Sequence, residues 1–362
     1  MPSDDNSHFS RSARRSVGAA LVAAALFGAS TPVAKLLLGV ASPLLLAGLL
    51  YAGSFIGLSI YRAGSSLGKV KRRIEREAGL KWGDIPYLLG TILCGGIAAP
   101  LLLINGLLYT TGTAASLLLN LEGVATTLIA AIVFREHVGR RIWAAAILML
   151  FAGAMLAYTR PEGGWSLNAG SILVMLSSVM WGVDNNITTR LSHRDPLVIA
   201  RYKGFASAVT NLSIALTLGA RLPAAAPVAG ALALGVFGYG ASLVFFIYSL
   251  RNLGAARTST YFGAAPFIGV AASLLILHEP LTLRIAGAAL FMIAGLYLIM
   301  REYHEHVHTH DPFCHEHSHF HDDHHAHGRD GEADEPHCHE HEHVLLTHSH
   351  AHAPDLHHFH RH

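Results

Sequence analysis

Two sets of residues in this 362-residue chain are of types that do chemistry. The first is histidine: 22 of the 26 lie between His304 and His362, many at alternate positions. The runs are His304, His306, His308, His310; then His315, His317, His319, His321; then His337, His339, His341, His343; then His348, His350, His352, with Cys314 and Cys338 among them. Neutral imidazole suits Zn²⁺, Ni²⁺ and Co²⁺, and thiolate adds a softer ligand. In extended chain, residues two apart point the same way at about 6.6 Å, and bending the chain brings such pairs onto one ion. The tail is therefore expected to bind these ions without one defined site, because many equivalent ligand sets compete. The histidines also charge together near about pH 6.5, which makes pH sensing a second reading. No cofactor is expected to be required.

The second set is carboxylates where carboxylates are costly. Only Glu122 and Asp184 fall well inside long apolar runs, and an ionisable group there normally faces a cavity or a partner. At 100° per residue, Ser116, Asn120, Gly123 and Thr127 share one helix stripe, with Glu122 and Thr126 on roughly the opposite side. Ser177, Trp181, Asp184 and Thr188 form another stripe, with Asn185 and Asn186 adjacent. The expectation is that Glu122 and Asp184 line a pathway, one of them exchanging a proton or contacting a cation. The competing reading pairs Glu122 with Lys35 or Lys203 simply to hold helices together. Lys35 and Lys203 could instead bind an anionic group or reach to water from near the ends of their runs. Asn105 reads equally as a pathway residue or an interhelical hydrogen bond. Gly53 and Gly57 have the spacing of a close-packing helix face.

The elements that must position these groups follow from composition. The chain is 52% hydrophobic and 14% charged, and 13 of its 24 acids come after Met300. What remains is a body with long uncharged runs of about 20 residues, the length that spans a bilayer as helix. Candidate spans are about 17–38, 43–62, 84–107, 111–134, 141–159, 169–189, 197–219, 225–250, 258–277 and 281–300. The first run is too long for a signal peptide, and so many apolar runs exclude a barrel. The expected fold is all-α integral membrane with ten helices, divided as 1–16 cytoplasmic segment, 17–159 first repeat, 160–300 second repeat and 301–362 disordered tail. Lys and Arg gather in alternate loops, from Arg11, Arg14 and Arg15 through Arg140 and Arg141 to Arg251 and Arg257, which puts both termini in the cytoplasm.

An internal repeat adds function. Gly123 to Glu136 followed by Arg141 resembles Pro266 to Glu279 followed by Arg284, and Phe27-Gly28 echoes Trp181-Gly182. Each unit has five helices, so the second copy enters the membrane inverted, the usual architecture of secondary transporters. Glu136 and Glu279 are expected to order interhelix turns, with Arg141 and Arg284 as partners.

The five-plus-five layout and the Glu-bearing loops after the fourth and ninth helices resemble the drug/metabolite transporter superfamily, EamA type, over about residues 17–300. The resemblance implies a carrier that hydrolyses no ATP and moves small metabolites, usually outward, by alternating access in the inner membrane. Three readings follow: a metabolite exporter with a metal- or pH-responsive tail, a divalent-cation exporter that collects ions on the tail, and a membrane-bound metal sensor without transport. No nucleophile or catalytic metal constellation points to an enzyme. Expected partners are the lipid bilayer, a small-molecule or cation substrate, divalent metal ions and, as an option, a second copy in a homodimer. A net charge of +2 gives no reason to expect nucleic acid.

Overall fold

Apolar runs become helices here because backbone polar groups must be satisfied internally in lipid. The computed structural model describes residues 5–64, 79–133, 139–159, 166–300, 304–310, 314–319, 337–342 and 346–352. The helices are α1 (Asp5–Leu37), α2 (Pro43–Gly64), α3 (Trp82–Tyr109), α4 (Gly112–Val133), α5 (Arg140–Ala157), α6 (Ala169–Leu191), α7 (Pro196–Thr217), α8 (225–262), α9 (Ala265–Ile276) and α10 (Leu283–Met300). Their starts are set locally: Thr111, Asn168 and Asp195 each cap the helix that follows with a side-chain oxygen. Among the described residues, seven stretches are long and apolar enough to cross a membrane, and α10 is apolar but shorter. The helices α6 and α7 fall outside that set. They carry Asp184, Asn185 and Asn186, and Arg201, Lys203 and Asn211, respectively.

Three elements differ from the sequence expectation. Helix α1 begins at Asp5, within the segment assigned to the cytoplasmic N-terminus. Helix α8 runs on to Phe262 through the basic segment expected to be a loop, because 251–257 holds good helix formers such as Ala255, Ala256 and Arg257. The tail, expected to be disordered, carries two antiparallel backbone ladders, His304–His310 with Leu346–His352 and Cys314–His319 with His337–Glu342. Its strict alternation of histidine with other residues matches the strand period; the expectation of disorder rested instead on the scarcity of apolar residues there. Glu136, His321 and His343 lie outside the described residues. In the helical body, the described strands are the two-residue pair Tyr158–Thr159 and Ser166–Leu167.

Helix contacts recur at fixed spacings. Asp184 on α6 lies where a Cβ on Gly95 of α3 would sit, and Ser30 on α1 does the same at Gly238 of α8. Ser177 Oγ donates to the Ala99 carbonyl at 2.8 Å, and Ser242 Oγ donates to the Ala23 carbonyl at 2.9 Å. Gly106 packs on Gly170, and Ser249 Oγ reaches the Ser16 carbonyl. In all three sets α8 follows α3 by 143 residues and α6 follows α1 by 154. The same 143 separates two single-turn π segments, Ile92–Ala98 in α3 and Gly235–Ala241 in α8. Helices α2 and α7 pack on each other, as do α5 and α10. Gly53 and Gly57 form the expected close-packing face: Gly53 lies against the Leu232 carbonyl and Gly57 against Val236.

Candidate functional site

Helix α4 is the axis of the site, and it is not straight. It breaks at Leu119–Asn120, where the Asn120 and Glu122 amides bond three residues back, to Leu117 and Leu119. The break rotates the second half of the helix, so Ser116, Asn120, Glu122, Gly123 and Thr127 all line one cavity. A continuous helical wheel sets Glu122 opposite the others; the tighter turn is why that expectation fails.

The cavity takes in about 830 Å³ of non-atom space, a figure that includes space open to the exterior. Phe27, Gly28 and Thr31 of α1 form one wall, and Ser259, Thr260, Phe262, Gly263, Ala265 and Pro266 form another. Ile142 and Met149 of α5 and Leu296 and Ile299 of α10 complete it. Glu122 is the ionisable residue among these lining residues. Its Oε1 accepts from Asn185 Nδ2 at 2.8 Å, and the same amide reaches Thr126 Oγ1 at 3.3 Å. Thr31 Oγ1 and Ser116 Oγ are buried with no hydrogen-bond partner among the described residues, so they offer polar contacts to whatever occupies the cavity.

Behind Trp181, whose ring meets Phe27 edge-on, lies a buried ion pair. Lys203 Nζ donates to Asp184 Oδ2 at 2.5 Å, and Thr188 Oγ1 donates to Asp184 Oδ1 at 3.3 Å. Room for the pair comes from the π segment of α3, where Gly95 and Gly96 present no side chain. Pro100 has no N–H to bond the carbonyls four and five residues back, so Gly96 and Gly95 seek other donors. Tyr51 Oη donates to Gly95 O at 2.6 Å, Trp181 Nε1 to the same oxygen at 3.3 Å, and Asn211 Nδ2 to Gly96 O at 3.4 Å. Thus Glu122 is not paired with a lysine. Asp184 takes Lys203, and Asn185, next in sequence, links to Glu122.

The two ends of the bundle differ. At one, Asp84 binds Arg194 at 2.8 Å, Arg62 binds Asp195 at 3.3 Å, and Arg251 donates to the Ser192 and Arg194 carbonyls. The lining residues Ile142, Ser259 and Ile299 lie toward this basic end. At the other end, Glu279 accepts from the Gly112 and Thr113 amides at 2.7 and 2.8 Å and from Thr113 Oγ1 at 2.9 Å. His278 turns the chain into this contact with a left-handed φ of 53°. Lys35 Nζ donates to the Leu107 and Thr110 carbonyls at the C-terminus of α3. Cation and anion thus bracket the 110–111 turn on the sides the helix dipoles favour.

Of the sequence-predicted residues, Glu122 and Asn120 line the cavity, and Asp184, Asn185 and Lys203 stand directly behind it. Lys35 belongs to the end that Glu279 occupies. Asn105 Nδ2 bonds Leu101 O of its own helix at 2.7 Å. Arg284 donates to the Tyr158 carbonyl, while Glu279 finds the α4 amides. Sequence reasoning missed Tyr51, Thr31 and Ser259; Gly95-Gly96 followed by Pro100 was the available signal for the polar pocket around Tyr51.

A helical, multi-pass membrane protein with a partly open central cavity is a transporter of small solutes in class, and the comparisons with known proteins agree. The chain belongs to the EamA-like transporter family, which matches residues 14–159 and again 168–301. An uncharacterized transporter of Methanothermobacter thermautotrophicus is 28% identical over 290 residues, covering 77% of this chain and 84% of that protein. One from Archaeoglobus fulgidus is 23% identical over 234 residues, covering 62% of this chain and 80% of the relative. A crystal structure of a protein 16% identical in sequence shares the fold at a TM-score of 0.59, covering 78% of this chain and 98% of the other.

Proposed function

We propose that the chain is a secondary exporter of a small organic solute, working by alternating access between two inverted five-helix repeats, with α1 to α10 as the ten spans. The cavity carries the reading: it is lined from both repeats and reaches toward the basic end, while Glu279 ties the start of α4 at the other. The recurrence of helix contacts at spacings of 143 and 154 supports the repeat, as does the double family match. By the positive-inside rule the basic end, and with it both termini, is cytoplasmic, so solute loads from within the cell. The state is then inward-open.

The cavity chemistry narrows the solute. Phe27, Leu119, Phe262 and Pro266 accept an apolar body, and Glu122, with one acid and one base behind it, favours a group that donates hydrogen bonds or carries positive charge. Transition-metal ions need several convergent N, S or O ligands, whereas this lining offers one carboxylate. The tail remains a metal-binding regulator in this reading: its ladders set His315, His317 and His319 opposite His341, His339 and His337 in register.

The test is counterflow in proteoliposomes, offering amino acids, amines and Zn²⁺, Ni²⁺ or Co²⁺ in parallel. Saturable flux of an organic solute is expected, and Glu122→Gln should cut it at least about tenfold or remove its dependence on pH between about 5.5 and 8. Wild-type flux by that variant across the range would remove Glu122 from the mechanism. Ion flux without organic flux would favour the metal exporter.

A further inference from the structure

Applied to the cavity itself, the contact registers predict its other form. Across the 143-residue spacing Ser116 answers to Ser259, Asn120 to Gly263, Glu122 to Ala265 and Gly123 to Pro266, and both members of each pair already line the cavity. The α1 wall has no such partner in the lining. At the 154-residue spacing Phe27 answers to Trp181 and Thr31 to Asn185, and at 143 Ile142 answers to Ile285 and Met149 to Met292. These four are shut away here: Trp181 is 7% exposed, Asn185 6%, Ile285 5% and Met292 0%. Asn185 nevertheless already holds Glu122 Oε1 at 2.8 Å, so the carboxylate lies between the open cavity and the wall that would replace it.

We propose that the outward-facing substrate site is lined by Trp181, Asn185, Ile285 and Met292 in place of Phe27, Thr31, Ile142 and Met149, with α4 and 259–266 common to both forms. The inference rests on the alternating-access reading above. The solute keeps its contact with Glu122 throughout, and its other wall changes from α1 to α6. Trp181 supplies an aromatic surface as Phe27 does, so an apolar body is accepted on both sides. Asn185 supplies an amide where Thr31 supplies a hydroxyl, so the two forms differ in the polar groups they offer. Solute specificity measured from the two faces should differ accordingly, and Asn185 sets the outward preference.

The test is labelling of single cysteines by a membrane-impermeant maleimide added to either face of full-length protein in oriented vesicles, with Cys94, Cys314 and Cys338 replaced by Ser. Labelling rate follows the fraction of molecules in the form that exposes the site, so Ile142→Cys should react at least about tenfold faster from the basic face and Ile285→Cys at least about tenfold faster from the opposite face. Ser259→Cys, in the common region, should react from both. If Ser259→Cys reacts from both faces while Ile285→Cys reacts from neither or only from the basic face, the assigned lining is wrong and alternating access stands. If Ser259→Cys reacts from the basic face alone, the exchange itself fails and the proposal falls with it. The pair Met149→Cys and Met292→Cys repeats the comparison should either isoleucine variant not reach the membrane.

Discussion

Lys203 and Asp184 are 3% and 5% exposed at their side chains and 2.5 Å apart, so each is the other's main compensation for leaving water. Removing one leaves a buried charge without its partner, which typically costs about 3–5 kcal/mol, while removing both with apolar replacements costs far less. Asp184→Asn and Lys203→Met should each sharply lower the thermal midpoint in detergent, and Asp184→Leu combined with Lys203→Met should recover much of the loss. A second titration belongs to the basic end. Burial first, and then the Arg194 guanidinium, hold His193 below its ordinary range, with Arg251 adding to the effect and Asp84 opposing it. The folded state therefore resists a proton that the unfolded state accepts, and this group's contribution to stability falls as pH drops through and below about 6.5. As pH is lowered through about 6.5, the thermal midpoint of wild type should fall more than that of His193→Gln, which has no imidazole for the unfolded state to protonate.

At the scale of elements, the Glu279 contact joins a turn of the second repeat to the start of α4 in the first. Glu279→Ala removes three hydrogen bonds, from two amides and a hydroxyl, and amide hydrogen exchange at Gly112 and Thr113 should accelerate while α4 beyond the Asn120 turn stays protected. Gly53→Val should prevent assembly, because even a Cβ there meets the Leu232 carbonyl; Gly123→Ala, with open space around it, should fold normally, and detergent-solubilised yield separates the two. Much of this level was readable beforehand. Apolar length located the helices, the GxxxG spacing marked the packing face of α2 but not its partner α8, and the intramembrane rule picked out Glu122 and Asp184. The wheel misled at α4 because it assumes one unbroken helix, and a two-residue tightening at Leu119–Asn120 leaves no signature in hydropathy. The partner of Glu279 was invisible for another reason: it accepts from backbone amides 166 and 167 residues away, and no side-chain pattern marks an amide.

For the whole molecule, the histidine tail and the helical body are separable in composition and in backbone structure. Deleting residues 304–362 should leave the thermal midpoint and basal flux of the body unchanged and abolish high-affinity Ni²⁺ or Zn²⁺ binding by calorimetry. The repeat registers also show how unequal the halves have become. Glu122 answers to Ala265, Asp184 to Ser30 and, at the 153-residue spacing of Pro43 from Pro196, Lys203 to Leu50. Were the halves identical, exchanging their shapes would give two arrangements related by a twofold rotation and of equal free energy, and an empty carrier would divide its time evenly between them. Here Glu122, Asp184 and Lys203 all have uncharged counterparts at the matching positions. Under the proposed alternating access the two resting orientations are therefore not degenerate, and the direction in which the unloaded carrier prefers to wait is written into three side chains.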